Sequence, residues 1–166
     1  MSKERVKATK LTIGLPFGIG QLDLEPDEVE QRAAWELYVE LMTRVATRPL
    51  EPGTGLIREA LSSLHGIISV TREVLREAGP GVAQGPNSLG NLAVEVIVQG
   101  IRPFLSRWHP LLLKYEHERP ADVNQFEHEQ AWSEAAQFHE ELAEFQDQIL
   151  VYVDALGRIA GIKRDD

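Results

Sequence analysis

The chain has 166 residues, a net charge of −9 and no cysteine. That length fits one domain around a single hydrophobic core, and the absence of cysteine excludes disulfides, thiolate metal sites and cysteine nucleophiles. No stretch approaches the about twenty consecutive apolar residues of a membrane span, and the charged start MSKERVKATK lacks the apolar run of a secretory signal. We therefore predict a soluble, cytoplasmic protein.

Charge is distributed unevenly along the chain. The first ten residues carry four basic side chains against one acidic, whereas residues 121–166 carry eleven acidic side chains against three basic. Nucleic-acid binding normally requires a basic face that displaces counterions from phosphates, and no basic run follows residue 10. We expect no direct nucleic-acid ligand.

The first predicted element is an extended N-terminal arm over residues 1–24. Apolar residues alternate with glycine and polar residues, a period of two that is typical of a strand with one apolar face: Leu11, Ile13, Leu15, Phe17 and Ile19. No second convincing strand follows. A lone strand must therefore lie on the helices, pair with a short unrecognised segment, or add to another chain.

Residues 25–163 predict an all-α, four-helix up-down bundle that forms a single domain with the arm. The four helices are predicted at residues 27–47, from residue 55 to about residue 78, at 87–118 and at 122–161. The last three repeat apolar residues at spacings of three and four, as bundle helices do. In the third helix this seam is Val94, Ile97, Ile101, Phe104, Trp108, Leu111 and Tyr115. A helix over 122–161 would be about 60 Å long, so it either breaks or projects.

The third helix contains two prolines, Pro103 and Pro110, seven residues apart. In one interpretation they lie on the solvent side and curve the helix around the core. In the other, they belong to an outer apolar stripe with a polar rim, which is the composition of a partner interface. The stripe would consist of Val96, Pro103, Pro110 and Leu113, and the rim of Arg102, Ser106 and His109.

Motifs of catalysis and cofactor binding do not appear in the sequence. No histidine follows a glutamate by three residues, as in the carboxylate-bridged metal sites of helix bundles. The glycines of GLPFGIG precede neither a P-loop lysine nor the start of a helix, and no G-x-S-x-G nucleophile elbow occurs. We predict no catalytic residue, no metal and no cofactor.

These patterns favour a non-enzymatic interaction or assembly module that binds itself or another protein. The predicted interface combines the apolar face of the arm with the outer face of the third helix: Leu11, Ile13, Leu15, Phe17, Ile19, Val96, Arg102, Pro103, Ser106, His109, Pro110 and Leu113. The alternative is a small-molecule sensor or enzyme with a pocket between the helices, among Trp35, Phe104, Trp108 and Phe145.

Overall fold

The computed structural model of the protein describes residues 10–44, 50–51 and 53–163. Two strands come first, β1 (Leu11–Gly14) and β2 (Gln21–Leu24). The helices are α1 (Glu28–Met42), α2 (Ile57–Ala78), α3 (Leu89–Val96), α4 (Arg102–His117), α5 (Gln125–Gln130) and α6 (Ala135–Ile159). The described chain is mostly helical, which confirms the all-α class. The up-down order of four helices stays a prediction, and the predicted end of the first helix, residues 45–47, lies outside the described residues.

The N-terminal arm folds as a hairpin. β1 pairs antiparallel with β2, and the register places Leu11 opposite Leu24 and Gly14 opposite Gln21. Of the three arrangements considered for the arm, the structure shows pairing with a short unrecognised segment, because the four residues QLDL form the second strand. Their alternation is too short to stand out in the sequence. The side chains of Ile13, Leu22 and Leu24 are buried in the same core as the helices.

Helix α1 begins at an N-cap that its sequence provides. The side chain of Asp27 accepts a hydrogen bond from the backbone N–H of Glu30 at 2.8 Å, which satisfies one of the donors left free at a helix start. The buried face of α1 consists of Ala33, Ala34, Leu37 and Leu41, together with the carboxylate of Glu30. This face packs α1 against α2 and α6.

Helices α3 and α4 form one continuous helix with a π turn, Ile97–Ile101, between them. The N–H of Arg102 donates to the carbonyl of Ile97, five residues back. Pro103, the next residue in α4, has no N–H to donate. The turn inserts about one residue into the helical repeat. Val96 and Ile101, five positions apart, are therefore both fully buried.

The buried residues of the third helix differ from the predicted seam. Of the predicted residues, Ile101 and Trp108 are buried, whereas Val94 and Leu111 are exposed. The other buried residues of α3 and α4 lie outside the predicted seam: Leu89, Leu92, Ala93, Val96, Leu105 and Leu112. The assignment of Val96 to an outer stripe was wrong, because its side chain is 0 % exposed. A strict spacing of three and four cannot anticipate an inserted residue.

The hairpin docks at the π turn. Gly100 is buried, and a Cβ atom at this position would lie 2.5–2.7 Å from three ring atoms of Phe17. The ring of Phe17 also meets the ring of Phe145 on α6, with centroids 5.3 Å apart. The backbone N–H of Phe17 donates to the side chain of Gln148 at 2.9 Å. The absence of a side chain at Gly100 thus creates the seat for the hairpin tip.

The fourth predicted helix breaks rather than projects. It consists of α5 and α6, separated by residues 131–134, in which Trp132 turns inward and stacks against Tyr115 with ring centroids 5.6 Å apart. His128 is buried, and its ring stacks on the ring of Tyr115 with centroids 3.9 Å apart. The predicted spacing of three and four is confirmed along most of α6, where the seam residues are buried: Phe138, Leu142, Phe145, Ile149, Tyr152, Leu156 and Ile159. Ala135, the first residue of the predicted seam, is only partly buried.

Two buried glutamates accept hydrogen bonds from the first backbone N–H groups of helices other than their own. Glu30 on α1 accepts from the N–H of Leu89, the first residue of α3, at 3.1 Å. Glu129 on α5 accepts from the N–H groups of Ile57 and Arg58, the first two residues of α2, at 2.7 and 3.2 Å. Each carboxylate meets the positive end of a helix dipole. Burial raises the pKa of Glu129, although the two backbone hydrogen bonds act in the opposite direction.

Candidate protein-interaction surface

The arm half of the predicted interface lies against its own chain. Ile13 is only 2 % exposed, and the partly buried side chains of Leu11, Leu15, Phe17 and Ile19 pack against the core. The apolar face of the hairpin is therefore covered within the monomer. The basic residues that precede it, Lys3, Arg5 and Lys7, lie outside the described residues.

The helix half of the predicted interface is largely at the surface. Apart from the buried Val96, the predicted residues are exposed: Arg102, Pro103, Ser106, His109, Pro110 and Leu113. Four of them line one groove between α2 and α4, namely Arg102, Ser106, His109 and Pro110. Pro103 and Leu113 do not line it. The structure thus brings together the polar rim and one proline, and separates them from the rest of the proposed stripe.

We call this groove the basic groove. Helix α2 contributes His65, Ile68 and Arg72, and helix α4 contributes Leu105 together with the four predicted residues. Ile68 and Leu105 are buried and form an apolar floor, whereas His65 and Arg72 are exposed at the edge. The groove encloses about 310 Å³. A hydrophobic floor inside a polar rim is the usual anatomy of a protein-binding patch.

The basic groove carries positive charge, whereas the whole chain is acidic. None of the described residues that line it is acidic, although the protein carries a net charge of −9. Within the described ranges, neither the Arg72 nor the Arg102 guanidinium has a carboxylate within 4.0 Å or a side-chain hydrogen bond. Two arginines that lack acidic neighbours in an acidic protein leave a local positive potential.

A third arginine near the groove is neutralised. The Nε and Nη2 atoms of Arg58 both donate to the carboxylate of Glu116 at 2.7 Å, a bidentate pair. Its Nη1 lies 3.1 Å from Nδ1 of His109. A guanidinium can only donate, so Nδ1 of His109 accepts and the ring proton is on Nε2. This contact holds the ring of His109 at the end of the groove.

Four residues of the groove were not part of the predicted interface: Leu105 on α4 and Ile68, His65 and Arg72 on α2. His65 and Arg72 are the polar ones. Together with Ile68 they follow a spacing of three and four along α2, which is a helical stripe of its own. Their partners lie on α4, at least thirty positions further along the chain, so the pairing of the two stripes depends on tertiary packing.

The predicted small-molecule pocket among the aromatic residues is filled by side chains. Phe104 packs on Phe145 with ring centroids 4.7 Å apart, and Trp108 meets Phe138 edge to face at 5.2 Å. Trp35 lies apart from them on α1 and is half exposed. In the part of the chain that the structure describes, no three histidine, aspartate or glutamate side chains are grouped to hold a metal ion, and no helix has the length and apolarity to cross a membrane.

No family model matches the sequence, and no curated protein or solved structure shows significant similarity to it. The basic groove between α2 and α4 is therefore interpreted from its own geometry.

Proposed function

We propose that the protein is a non-enzymatic interaction module, built on an up-down four-helix bundle, that binds an acidic segment of a partner protein in the basic groove. The observation that carries the proposal is the pair Arg72 and Arg102, exposed beside an apolar floor without carboxylate neighbours among the described residues. Guanidinium groups bind carboxylates with two parallel hydrogen bonds, and arginine is enriched at protein interfaces.

The side chains that line the groove indicate which kind of ligand it would bind. Apolar side chains of the partner would contact Ile68 and Leu105, while its carboxylates would pair with Arg72 and Arg102. Exposed charges mainly accelerate association and make it sensitive to salt, whereas the apolar contact supplies most of the affinity. Binding should weaken as salt is raised but should not vanish, because the apolar contact is not screened.

Self-association is one form of this proposal, with a second copy as the partner. The chain itself is acidic, so it can offer carboxylates to the basic groove of another copy. Because the hairpin packs on its own core, the proposed contact between copies involves the helix face alone.

The test uses charge reversal in the groove. Full-length protein with Arg72→Glu and Arg102→Glu is compared with Lys114→Glu, a control that reverses an exposed charge on α4 outside the groove. Light scattering after size-exclusion chromatography measures self-association. Calorimetry with a synthetic peptide of alternating leucine and glutamate measures binding of an acidic segment.

We expect wild type and the Lys114 variant to behave alike. The doubly reversed variant should lose about tenfold or more in affinity, because like charges opposed across an interface cost several kcal/mol. A wild-type protein that is monomeric at every concentration and binds no acidic peptide would contradict the proposal. Equal binding by the reversed variant would also contradict it.

A further inference from the structure

The other flank of α2 borders a second groove, between α1 and α2, whose charge is opposite to that of the basic groove. We call it the acidic groove. Its apolar side chains are Trp35, Val39, Val70 and Val74, and its acidic side chains are Glu36, Glu40, Glu73 and Glu77. It encloses about 330 Å³ and continues past Val74 into a neighbouring cavity of about 400 Å³ near the start of α1.

Apolar surface is unusually exposed along this groove. Trp35 is 50 % exposed, Val39 is 40 % exposed, and Val29, in the adjoining cavity, is 45 % exposed. All three belong to α1 and lie along the flank that faces the groove. The indole of Trp35 stacks on Tyr38 with ring centroids 5.9 Å apart, which restrains it at the groove wall. Exposed, restrained tryptophans beside a groove are characteristic binding hot spots.

The carboxylates around the groove are largely uncompensated. Across the residues that the structure covers, the side chains of Glu36, Glu73 and Glu77 have no cation within 4.0 Å, whereas Glu40 pairs with Arg44 at 3.1 Å. Arg32 lines only the end of the groove near the start of α1. Carboxylates on both walls of an apolar channel repel one another, and a cationic ligand would relieve that repulsion.

We propose that the acidic groove is the docking site of a cationic amphipathic helix from a partner protein. Together with the adjoining cavity, the groove extends from Val29 to Glu40, which is about 16 Å along α1 and corresponds to about three turns of a bound helix. The apolar face of that helix would cover Trp35 and Val39, and its lysines or arginines would reach the glutamates on both walls.

Helix α2 lines both grooves, so it would contact two ligands of opposite charge, one on each flank. Glu73 and Glu77 face the acidic groove, whereas His65 and Arg72 face the basic groove. The second groove adds a second class of partner to the proposed function, and each site is tested with its own variants. The protein would then act as an adaptor that holds an acidic and a basic segment on opposite flanks of one helix.

Trp35 supplies a direct readout of the acidic groove. The chain has three tryptophans, and the other two, Trp108 and Trp132, are buried. Full-length protein is titrated with a synthetic amphipathic helix of leucine and lysine, about 14 residues or four turns long. Covering Trp35 should shift its emission to shorter wavelength and protect it from iodide. A peptide of the same composition in scrambled order and a leucine–glutamate peptide should leave that emission unchanged.

Charge reversal separates groove binding from general attraction to an acidic protein. Glu73→Lys with Glu77→Lys is compared with Glu140→Lys with Glu144→Lys, an equal charge change at exposed positions on α6. We expect the groove variant to lose about tenfold or more in affinity, since like charges face each other across the contact, and the α6 variant to change by less than about threefold. Trp35→Ala, measured by calorimetry, should weaken binding comparably to the groove variant. Circular dichroism of each variant establishes that it is folded.

Three results would overturn the proposal. Equal losses in the groove and α6 variants, or equal binding of the scrambled peptide, would show attraction by net charge alone. Emission of Trp35 that remains unshifted while the peptide binds would place the ligand elsewhere. A shift that appears on concentrating the protein without peptide would assign the groove to a second copy.

Discussion

The hydrogen bonds that Glu129 makes to the start of α2 yield a quantitative prediction. Glu129 is 2 % exposed, and its two oxygens accept from the N–H groups of Ile57 and Arg58. The N-cap residue of α2 is Leu56, whose apolar side chain cannot accept a hydrogen bond. Glu129→Ala therefore removes the side-chain acceptor for two donors at the helix start.

The expected loss follows from those two bonds. Hydrogen bonds to a charged group contribute about 1.5–3 kcal/mol each, and part of that is offset by the cost of burying the carboxylate. We expect Glu129→Ala to lower the free energy of unfolding by about 2–5 kcal/mol. For a chain of this size that corresponds to a fall in Tm of about 5–15 °C.

Urea unfolding followed by circular dichroism measures this loss. The matched control is Glu127→Ala, which removes an exposed glutamate from the same short helix. The control should change stability by less than about 0.5 kcal/mol. If Glu129→Ala is no more destabilising than Glu127→Ala, the contacts do not stabilise the start of α2 and the reasoning is refuted.

The contribution of Glu129 to the free energy of unfolding should change with pH in a defined direction. Burial raises the pKa of Glu129 in the folded protein above its ordinary value of 4.5. The folded state therefore binds this proton more tightly than the unfolded chain, and the resulting stability is present below 4.5 and is lost as pH rises through the folded-state pKa. The difference in unfolding free energy between wild type and Glu129→Gln should fall with rising pH in that window. A difference that increases with pH would contradict the raised pKa.

The remaining predictions concern core positions. Gly100→Ala should destabilise the protein by about 1–3 kcal/mol, since the new methyl group meets the ring of Phe17, whereas Gly81→Ala, which has open space around it, should be nearly neutral. Adding Phe17→Ala to Gly100→Ala should cost less than the sum of the single changes, and strict additivity in urea unfolding would contradict the contact. Tyr152→Phe removes a buried hydroxyl without a hydrogen-bond partner in the described chain, so stability should rise or stay unchanged, and a thermal-unfolding loss above about 1 kcal/mol would contradict this assignment.

Local patterns identified α6 better than any other element. Its buried residues follow one uninterrupted spacing from Phe138 to Ile159, so the sequence carries the whole signal. The π turn before α4 could not be predicted in the same way. Within the turn, Gly100 packs against Phe17, which is 83 positions away in the sequence, and Val94 before the turn is exposed although it was assigned to the seam.

Half of the residues that line the basic groove were predicted from the sequence. Arg102, Ser106, His109 and Pro110 share one helix, so their spacing was enough to group them. His65 and Arg72 were missed because nothing in a single sequence states which helix packs beside α4. The acidic groove was missed for the same reason, since Trp35 was assigned to an internal pocket and its exposure depends on how α1 and α2 meet.

The docking of the hairpin tip has a consequence for biosynthesis. The hydrogen bond from Phe17 to Gln148 joins positions separated by 131 residues. A nascent chain leaving the ribosome exposes the apolar tip until α6 has emerged, because its seat includes Phe145 on that helix. Contacts of such long sequence separation form late and slow the approach to the native state. The hairpin tip, which is translated before α6, is therefore among the last segments to reach its final position.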